Sequence, residues 1–185
     1  GKALEEFRAL GYISGEAEAL YLIGDIYFRQ GFVRKATEYT EEALSVSKRI
    51  NDKNQITQCR ILLSEIHLAV GNPESAAKLL KESVEDAKAG ISPRLKAQLK
   101  LAIARFRLSR ESLEKSLHDA LDAKKDFTEI GDRRGIADCN HVIGLIHELQ
   151  GHREEAHSFL EEALKEHSAI GDRFGEGKDL TALGV

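Results

Sequence analysis

Five of the seven histidines fall close together in the sequence and are the first candidates for chemistry. They are His141, His147, His152, His157 and His167. A zinc site on a helix typically places two ligands four residues apart, so that both side chains face the metal. The spacings here are six, five, five and ten residues. The sequence therefore predicts no metal site, and no residue pattern indicates another cofactor.

The other residues of catalytic type also lack the arrangement that catalysis requires. Residues 171–178 superficially resemble a phosphate-binding loop, but Asp172 occupies the place of the first glycine. Asp179 follows Lys178 where that motif has serine or threonine. The sequence shows no nucleophile elbow, catalytic carboxylate pair or thiol–histidine pair at an interpretable spacing. We therefore expect a protein that is not an enzyme.

Composition and charge describe a globular chain. Of its 185 residues, 42% are hydrophobic and 31% are charged, which is enough apolar surface to form a core. A net charge of -4 gives the chain no general attraction to nucleic acid or to an anionic membrane. No apolar run is long enough to span a bilayer. Cys59 and Cys139 are expected to be free, buried, reduced thiols, which suits a cytoplasmic protein.

The sequence repeats with a period of 40 residues, and glycine marks the repeat. Twelve of the fifteen glycines align in four columns: Gly11, Gly131 and Gly171; Gly15, Gly135 and Gly175; Gly24, Gly144 and Gly184; Gly31, Gly71 and Gly151. Ser64 and Ala104 replace glycine in the Gly24 column. This column therefore requires a small side chain, which indicates that two helices approach closely there.

Capping residues divide each repeat into two helices, A and B. Residues suited to cap a first helical turn recur at Asp52, Ser92, Asp132 and Asp172, and again at Asn72 and Ser112. We expect A helices near 13–30, 53–70, 93–109, 133–150 and from 173 onward, and B helices at 33–50, 73–90, 113–130 and 153–170. Residues 2–10 are expected to be the tail of an earlier B helix.

Apolar columns support this division. In helix A, the positions equivalent to Ile23, Ile26 and Leu22 are mostly apolar in successive repeats. In helix B, the same holds for the positions of Tyr39 and Ile50. In the third repeat, Asp119 interrupts the Tyr39 column and Glu111 replaces the turn glycine, so we expect a tighter or frayed turn there. A single helix pair cannot bury its apolar face, but stacked pairs can. The sequence therefore predicts an all-α fold, an α-solenoid of stacked antiparallel helix pairs.

These columns resemble the tetratricopeptide repeat. The match is Leu20-x-x-Ile23-Gly24-x-x-Tyr27 followed by Ala36 and Ala43, and it recurs as Ile143-Gly144-x-x-His147 with Ala156 and Ala163. The period of 40 resembles a long-helix subclass, found in kinesin light chains, cell-polarity adaptors and sensor arms of signalling ATPases and transcription activators. The resemblance implies one right-handed superhelix over residues 1–185, with repeats at 13–50, 53–90, 93–130 and 133–170 and a truncated repeat at 173–185.

The resemblance also implies a concave groove, lined by the A helices, that holds a peptide, a partner helix or another domain. The matching groove positions are Tyr21, Asp25, Phe28, Arg29, Ile61, Glu65, Leu68, Leu101, Arg105, Leu108, His141 and Leu145. Apolar members suit a partner with an apolar face, although burial of the same stripe is the alternative. Acidic and apolar residues replace the basic and amide residues of family members that grip chaperone C-terminal carboxylates, so we expect no such clamp.

One basic stretch lies on the third A helix. It comprises Arg94, Lys96, Lys100, Arg105, Arg107 and Arg110, and the following helix carries six acids. Such a stretch could receive an acidic partner, but a solvated face with local charge pairing is the preferred interpretation. Nucleic-acid binding is not expected, because interleaved aromatic residues are missing.

Two functions fit these features. The first is a non-catalytic scaffold that binds a peptide or partner helix in the groove. The second is a regulatory or sensor arm of a larger signalling or transcription-regulating protein. Because the repeat pattern starts in the tail of a B helix and ends within an A helix, we expect the chain to be a fragment of a longer protein.

Overall fold

The computed structural model describes residues 2–185, which form ten α-helices joined by short turns. The A helices are α2 (Ile13–Arg29), α4 (Lys53–Ala69), α6 (Pro93–Ser109), α8 (Arg133–Leu149) and α10 (Arg173–Leu183). The B helices are α1 (Lys2–Leu10), α3 (Val33–Arg49), α5 (Pro73–Lys88), α7 (Leu113–Glu129) and α9 (Arg153–Ala169). These bounds lie within two residues of the predicted ones. The all-α class and the α-solenoid architecture are confirmed.

Side-chain caps start most of the helices for which the sequence predicts them. The capping oxygen accepts a hydrogen bond from the backbone N–H three residues later at Asp52, Asn72, Ser92, Asp132 and Asp172. Ser112 is an exception, because its side chain makes no capping hydrogen bond.

The A-to-B turns share one left-handed residue. Gly31, Gly71 and Gly151 have φ values of 79°, 73° and 80°, and Glu111 occupies the same place with φ 57°. The expectation of a tighter or frayed turn at Glu111 is wrong. Its N–H donates to the carbonyl of Leu108 at 3.0 Å, as the N–H of Gly31 does to Phe28. The turn therefore keeps its geometry, and Glu111 adopts a backbone conformation that glycine adopts more readily.

Replacing Glu111 by glycine should stabilise the protein. The left-handed conformation costs a residue with a side chain about 1–2 kcal/mol, and the greater freedom of glycine in the unfolded chain offsets part of this. We expect Glu111→Gly to raise the free energy of unfolding by about 1 kcal/mol in urea denaturation followed by circular dichroism. Gly151→Ala, at the equivalent turn, should lower it by a similar amount. Equal stability of Glu111→Gly and the wild type would show that this turn is not strained.

Helix A approaches helix B closely at the column of small residues. A Cβ atom added to Gly24 would lie 2.3 Å from Oγ1 of Thr40, and one added to Gly144 would lie 2.7 Å from Cγ of Leu160. Both distances are well inside van der Waals contact. The predicted close approach is therefore confirmed at these two glycines. Gly184, in the same column, instead ends α10 in the left-handed conformation, with φ 76°.

The chain divides into two compact units, the first ending at Leu95 and the second beginning at Lys96. The core of the first unit contains Leu4, Ala17, Leu20, Ala36, Ala43, Val46, Cys59, Leu62, Leu63 and Ile66. The core of the second contains Ala97, Leu101, Ala104, Ala120, Ala123, Phe127, Cys139, Val142, Ile143 and Ile146. Cys59 and Cys139 are buried and free, as predicted. Burial raises the pKa of each thiol to about 12, so neither is a reactive thiolate near neutral pH.

The first A helix departs from the predicted packing. Leu22 and Ile26 are 50% and 52% exposed, whereas Leu62 and Ile66, one repeat later, are 4% and 1% exposed. Leu62 and Ile66 are covered because they pack against α2, and no helix among residues 2–185 covers the same face of α2. The predicted packing is also incomplete at the C-terminal ends of three B helices, where Ile50, Ile130 and Ile170 are 36–42% exposed.

Candidate functional site

In the first unit, the predicted groove residues lie on α2 and α4. They are Tyr21, Asp25, Phe28, Arg29, Ile61, Glu65 and Leu68, and all seven are half-buried. Tyr21 and Phe28 also pack against the core cluster that contains Leu62 and Ile66. Part of this apolar stripe is therefore covered by its own unit, and the remainder faces solvent.

Charged side chains lie among the apolar residues of this face. Nε of Arg29 lies 2.8 Å from Oδ2 of Asp25, one helical turn away. Burial raises the pKa of the Tyr21 phenol, and the negative charges of Asp25 and Glu65 raise it further. The phenol of Tyr21 is therefore protonated and can donate a hydrogen bond at neutral pH.

In the second unit, Leu101 corrects one expectation. Its side chain is 4% exposed and belongs to the core, so it is not an exposed groove residue. It packs with Ala120 and Val142 in the core of this unit. Leu108 is half-buried and packs against the same core. The repeat position predicts which face of the helix a side chain lies on, but it does not predict how deeply that side chain is buried.

The basic stretch on α6 pairs with nearby acids. Nζ of Lys100 lies 2.9 Å from Oδ2 of Asp122 and 2.7 Å from Oδ2 of Asp126. Arg107 forms an ion pair with Asp119. The predicted local pairing is confirmed for Lys100 and Arg107.

A cavity of about 500 Å³ lies between the A helices α8 and α10. His141 and Leu145 of α8 form one wall, and α10 contributes Arg173, Phe174, Gly177, Lys178, Thr181 and Ala182. Ligand cavities in proteins usually have volumes of about 300–1,000 Å³ and apolar linings with a few polar groups. This site is an open depression whose volume falls within that range, and both apolar and polar side chains line it. Two predicted groove residues, His141 and Leu145, therefore lie at a concave site.

Asp179 joins His141 to a second histidine in a buried network. Its Oδ1 lies 2.6 Å from Nδ1 of His141, and its Oδ2 lies 2.6 Å from Nδ1 of His167. Burial opposes ionisation of Asp179, but hydrogen bonds from both imidazoles lower its pKa below the ordinary value. An ionised carboxylate only accepts hydrogen bonds, so each Nδ1 carries a hydrogen. This arrangement fixes the orientation of the His141 ring at the cavity wall.

A second carboxylate, Asp138, lies beside this network. Its Oδ1 is 3.1 Å from Nη2 of Arg105, 3.3 Å from Nζ of Lys178 and 4.0 Å from Nε2 of His167. Burial opposes ionisation here too, but the positive charges of Arg105 and Lys178 lower the pKa of Asp138 to about 2. Arg105, predicted to face a partner, therefore holds Asp138 beneath the cavity-lining Lys178.

Other histidines pack between helices or lie at the surface. The rings of His147 and Phe159 stack with centroids 5.5 Å apart, which confirms the predicted packing role of this position. In residues 2–185, no three histidine, cysteine or acidic side chains converge as metal ligands. In the same part of the chain, no helix combines the length and apolarity needed to cross a bilayer.

Comparison with known proteins identifies the repeat. Residues 15–89 match the family model of the tetratricopeptide repeat. Residues 15–89, which include the first two helix pairs, are therefore similar to the tetratricopeptide repeat family. The later helix pairs continue the same 40-residue period, with the same caps and left-handed turn residues. No functionally curated protein matches the sequence.

Solved structures share the fold of this chain. A Rap protein complexed with Competence and Sporulation Factor has a TM-score of 0.76 and 16% identity over 91% of this chain and 47% of that protein. A STAND signal transduction ATPase from Pyrococcus horikoshii has a tetratricopeptide repeat sensor. It has a TM-score of 0.71 and 22% identity over 95% of this chain and 27% of that protein. BtubC (BKLC) from P. vanneervenii has a TM-score of 0.69 and 18% identity over 99% of this chain and 81% of that protein. The chain thus spans less than half the length of the Rap protein and of the STAND ATPase.

Sequence reasoning missed the wall of the cavity that α10 supplies. Thr181 is 40 residues after His141 and occupies the same repeat position, so the 40-residue period itself contained a signal for this wall. The bonds from Asp179 to His141 and His167 span 38 and 12 residues. No local pattern links residues at those separations, and only the packing of α8, α9 and α10 shows that they meet.

Replacing Asp138 by asparagine should reduce stability at neutral pH but not in strong acid. A carboxyl whose pKa is lowered from 3.8 to about 2 stabilises the fold above its ordinary pKa, and this contribution is lost as the pH falls towards 2. We expect Asp138→Asn to lower the free energy of unfolding by about 2 kcal/mol at pH 7 and by little near pH 2. Urea denaturation at both pH values measures this. Glu129→Gln, at an exposed position, is the control, and a pH-independent loss in Asp138→Asn would contradict the ion-pair account.

Proposed function

We propose that this chain is a non-catalytic interaction scaffold that holds a peptide or partner helix against its A helices. The cavity between α8 and α10 is the observation that supports this proposal most directly. It combines an apolar lining from Leu145, Phe174 and Ala182 with the polar groups of His141 and Lys178. Such a surface can bury apolar side chains of a bound segment and orient it by hydrogen bonds.

The family supports a protein partner. Tetratricopeptide repeats generally mediate contacts between proteins. One protein of similar fold, the Rap protein, was solved in complex with Competence and Sporulation Factor. We propose a partner segment with an apolar face, which would contact either Phe28, Ile61 and Leu68 in the first unit or the α8–α10 cavity in the second. Asp25 and Glu65 would disfavour a chaperone-type C-terminal carboxylate in the first unit.

We infer that the chain acts without catalysis and in the cytoplasm. The carboxylates of Asp138 and Asp179 pair with cations and imidazoles inside the fold, where they serve structure. The free, buried thiols of Cys59 and Cys139 suit a reducing compartment.

A regulatory or sensor arm of a larger signalling protein is the second candidate. The exposed face of α2, with Leu22 and Ile26, supports it, because the equivalent face of α4 is covered by a neighbouring helix. The fold is also shared with the tetratricopeptide repeat sensor protein of Pyrococcus horikoshii. For a sensor arm, Leu22→Glu would disrupt contact with an adjoining domain while peptide capture by the A helices remained unchanged.

Peptide selection tests the scaffold function. We expect the purified chain to enrich binders from a phage library of random peptides, and Leu145→Ser to weaken the best synthetic binder at least tenfold in fluorescence polarisation. Leu121→Ser is the matched control, because Leu121 is 46% exposed on the B helix α7. The double variant Phe28→Ser/Leu68→Ser tests the first unit in the same way.

Circular dichroism of each variant separates loss of binding from loss of fold. If binders are enriched but both sets of variants retain full affinity at wild-type helicity, the A helices do not form the binding surface. If no peptide is enriched, the scaffold function itself is contradicted.

A further inference from the structure

The wall of the α8–α10 cavity is positively charged. None of its eight lining residues is acidic, whereas Arg173 and Lys178 are both cationic. Two acids close to Arg173 in the sequence, the N-cap Asp172 and Glu176 of the first turn, contact other groups. Asp172 lies 2.8 Å from Nη2 of Arg134, and Glu176 accepts a hydrogen bond from Oγ of Ser168 at 2.9 Å.

The charges beneath the cavity do not neutralise this wall. Asp138 forms an ion pair with Lys178, but it is shared between Lys178 and Arg105. Two positive charges therefore face one negative charge at that point. The charge of Asp179 is directed to the imidazoles of His141 and His167. Among the residues that line the cavity, Arg173 and Lys178 therefore carry the charge, and both are positive.

The apolar part of the cavity lies beside these cations. Leu145 and Ala182 provide aliphatic surface, and Phe174 provides an aromatic ring. Nζ of Lys178 lies 5.3 Å from the centre of the Phe174 ring, which is within the range of a cation–π contact. An apolar side chain and an anionic group would therefore find complementary surface within one cavity.

We propose that this cavity selects peptide segments in which an aliphatic or aromatic side chain lies next to an aspartate or glutamate. The apolar side chain packs against Leu145, Phe174 and Ala182, and the carboxylate lies between Arg173 and Lys178. This inference rests on the scaffold function and adds the chemistry of the bound segment.

The carboxylate belongs to a side chain and not to the end of a peptide. Arg173 is exposed at the first turn of α10, so the anion-binding position lies at the open edge of the cavity. A peptide can continue past such an edge in both directions. An internal aspartate or glutamate reaches the two cations from there without ending the chain.

A peptide library fused through its C-terminus to a phage coat protein tests this selectivity, because its members have no free C-terminal carboxylate. Selected peptides are synthesised with C-terminal amides, each beside a partner with glutamate changed to glutamine or aspartate to asparagine. We expect the amide-for-acid change to weaken binding at least tenfold. Arg173→Glu should weaken binding of the acidic peptide at least tenfold and remove most of the difference between the two peptides.

Two further variants test whether the effect is specific to the cations of the cavity. Lys125→Glu makes the same charge change at an exposed position of α7 and should leave affinity unchanged. Glutamate at position 173 suits the first turn of a helix, so Arg173→Glu should remain folded. Lys178→Gln, which removes the second cation without adding an acid, should lower affinity for the acidic peptide more than for its amide partner.

The outcomes distinguish this inference from the function on which it rests. Peptides that bind through Leu145 but show no preference for acid over amide overturn the selectivity and leave the scaffold function intact. If the amide-for-acid peptide regains full affinity when it is synthesised with a free C-terminal carboxylate, the internal-acid assignment is overturned. Equal losses in Arg173→Glu and Lys125→Glu would show a general charge effect and overturn it as well. Failure to select any peptide contradicts both.

Discussion

The close approach of the A helices α2, α8 and α10 to neighbouring B helices is the constraint on which the structure depends. Gly24 and Gly144 lie so near the facing B helices that a single added carbon would overlap Thr40 or Leu160. The final A helix meets α9 in the same manner, because a Cβ atom on Gly175 would lie 2.5 Å from the His167 ring. Small residues at these points let the helices pack at short separation, and the longer side chains then meet in a defined register.

The candidate site follows from that register. With α10 seated at Gly175, Asp179 reaches His167 on α9 and His141 on α8, and its buried carboxylate fixes both rings. A buried carboxylate is stable only when its oxygens are fully hydrogen-bonded, so alternative positions of α10 would leave a costly unpaired charge. The network thus holds α8 and α10 at the separation that forms the cavity. Packing and polar contacts act together, and Lys178 is the residue that belongs to both the network and the cavity wall.

The sequence predicts the helices well because their limits are local signals. Asp132 caps α8 through the N–H of Gly135, only three residues away, and Gly151 marks the end of the same helix. The site is predicted in part. His141 and Leu145 follow from the repeat position, but the same reasoning placed Leu101 in the groove although it lies in the core. A repeat column gives the direction of a side chain, whereas burial depends on neighbouring residues that differ from repeat to repeat.

An amide NMR titration with a selected peptide tests the central claim most directly. That claim is that the A helices α8 and α10 form the binding surface. It predicts that shifts concentrate at the amides of Leu145, Gly177 and Thr181, which belong to the cavity wall. A second depression, of about 490 Å³, lies on the outer face of α9 and includes Ser158 and Glu161. Shifts confined to that face, with the α8 and α10 amides unchanged, would contradict the account.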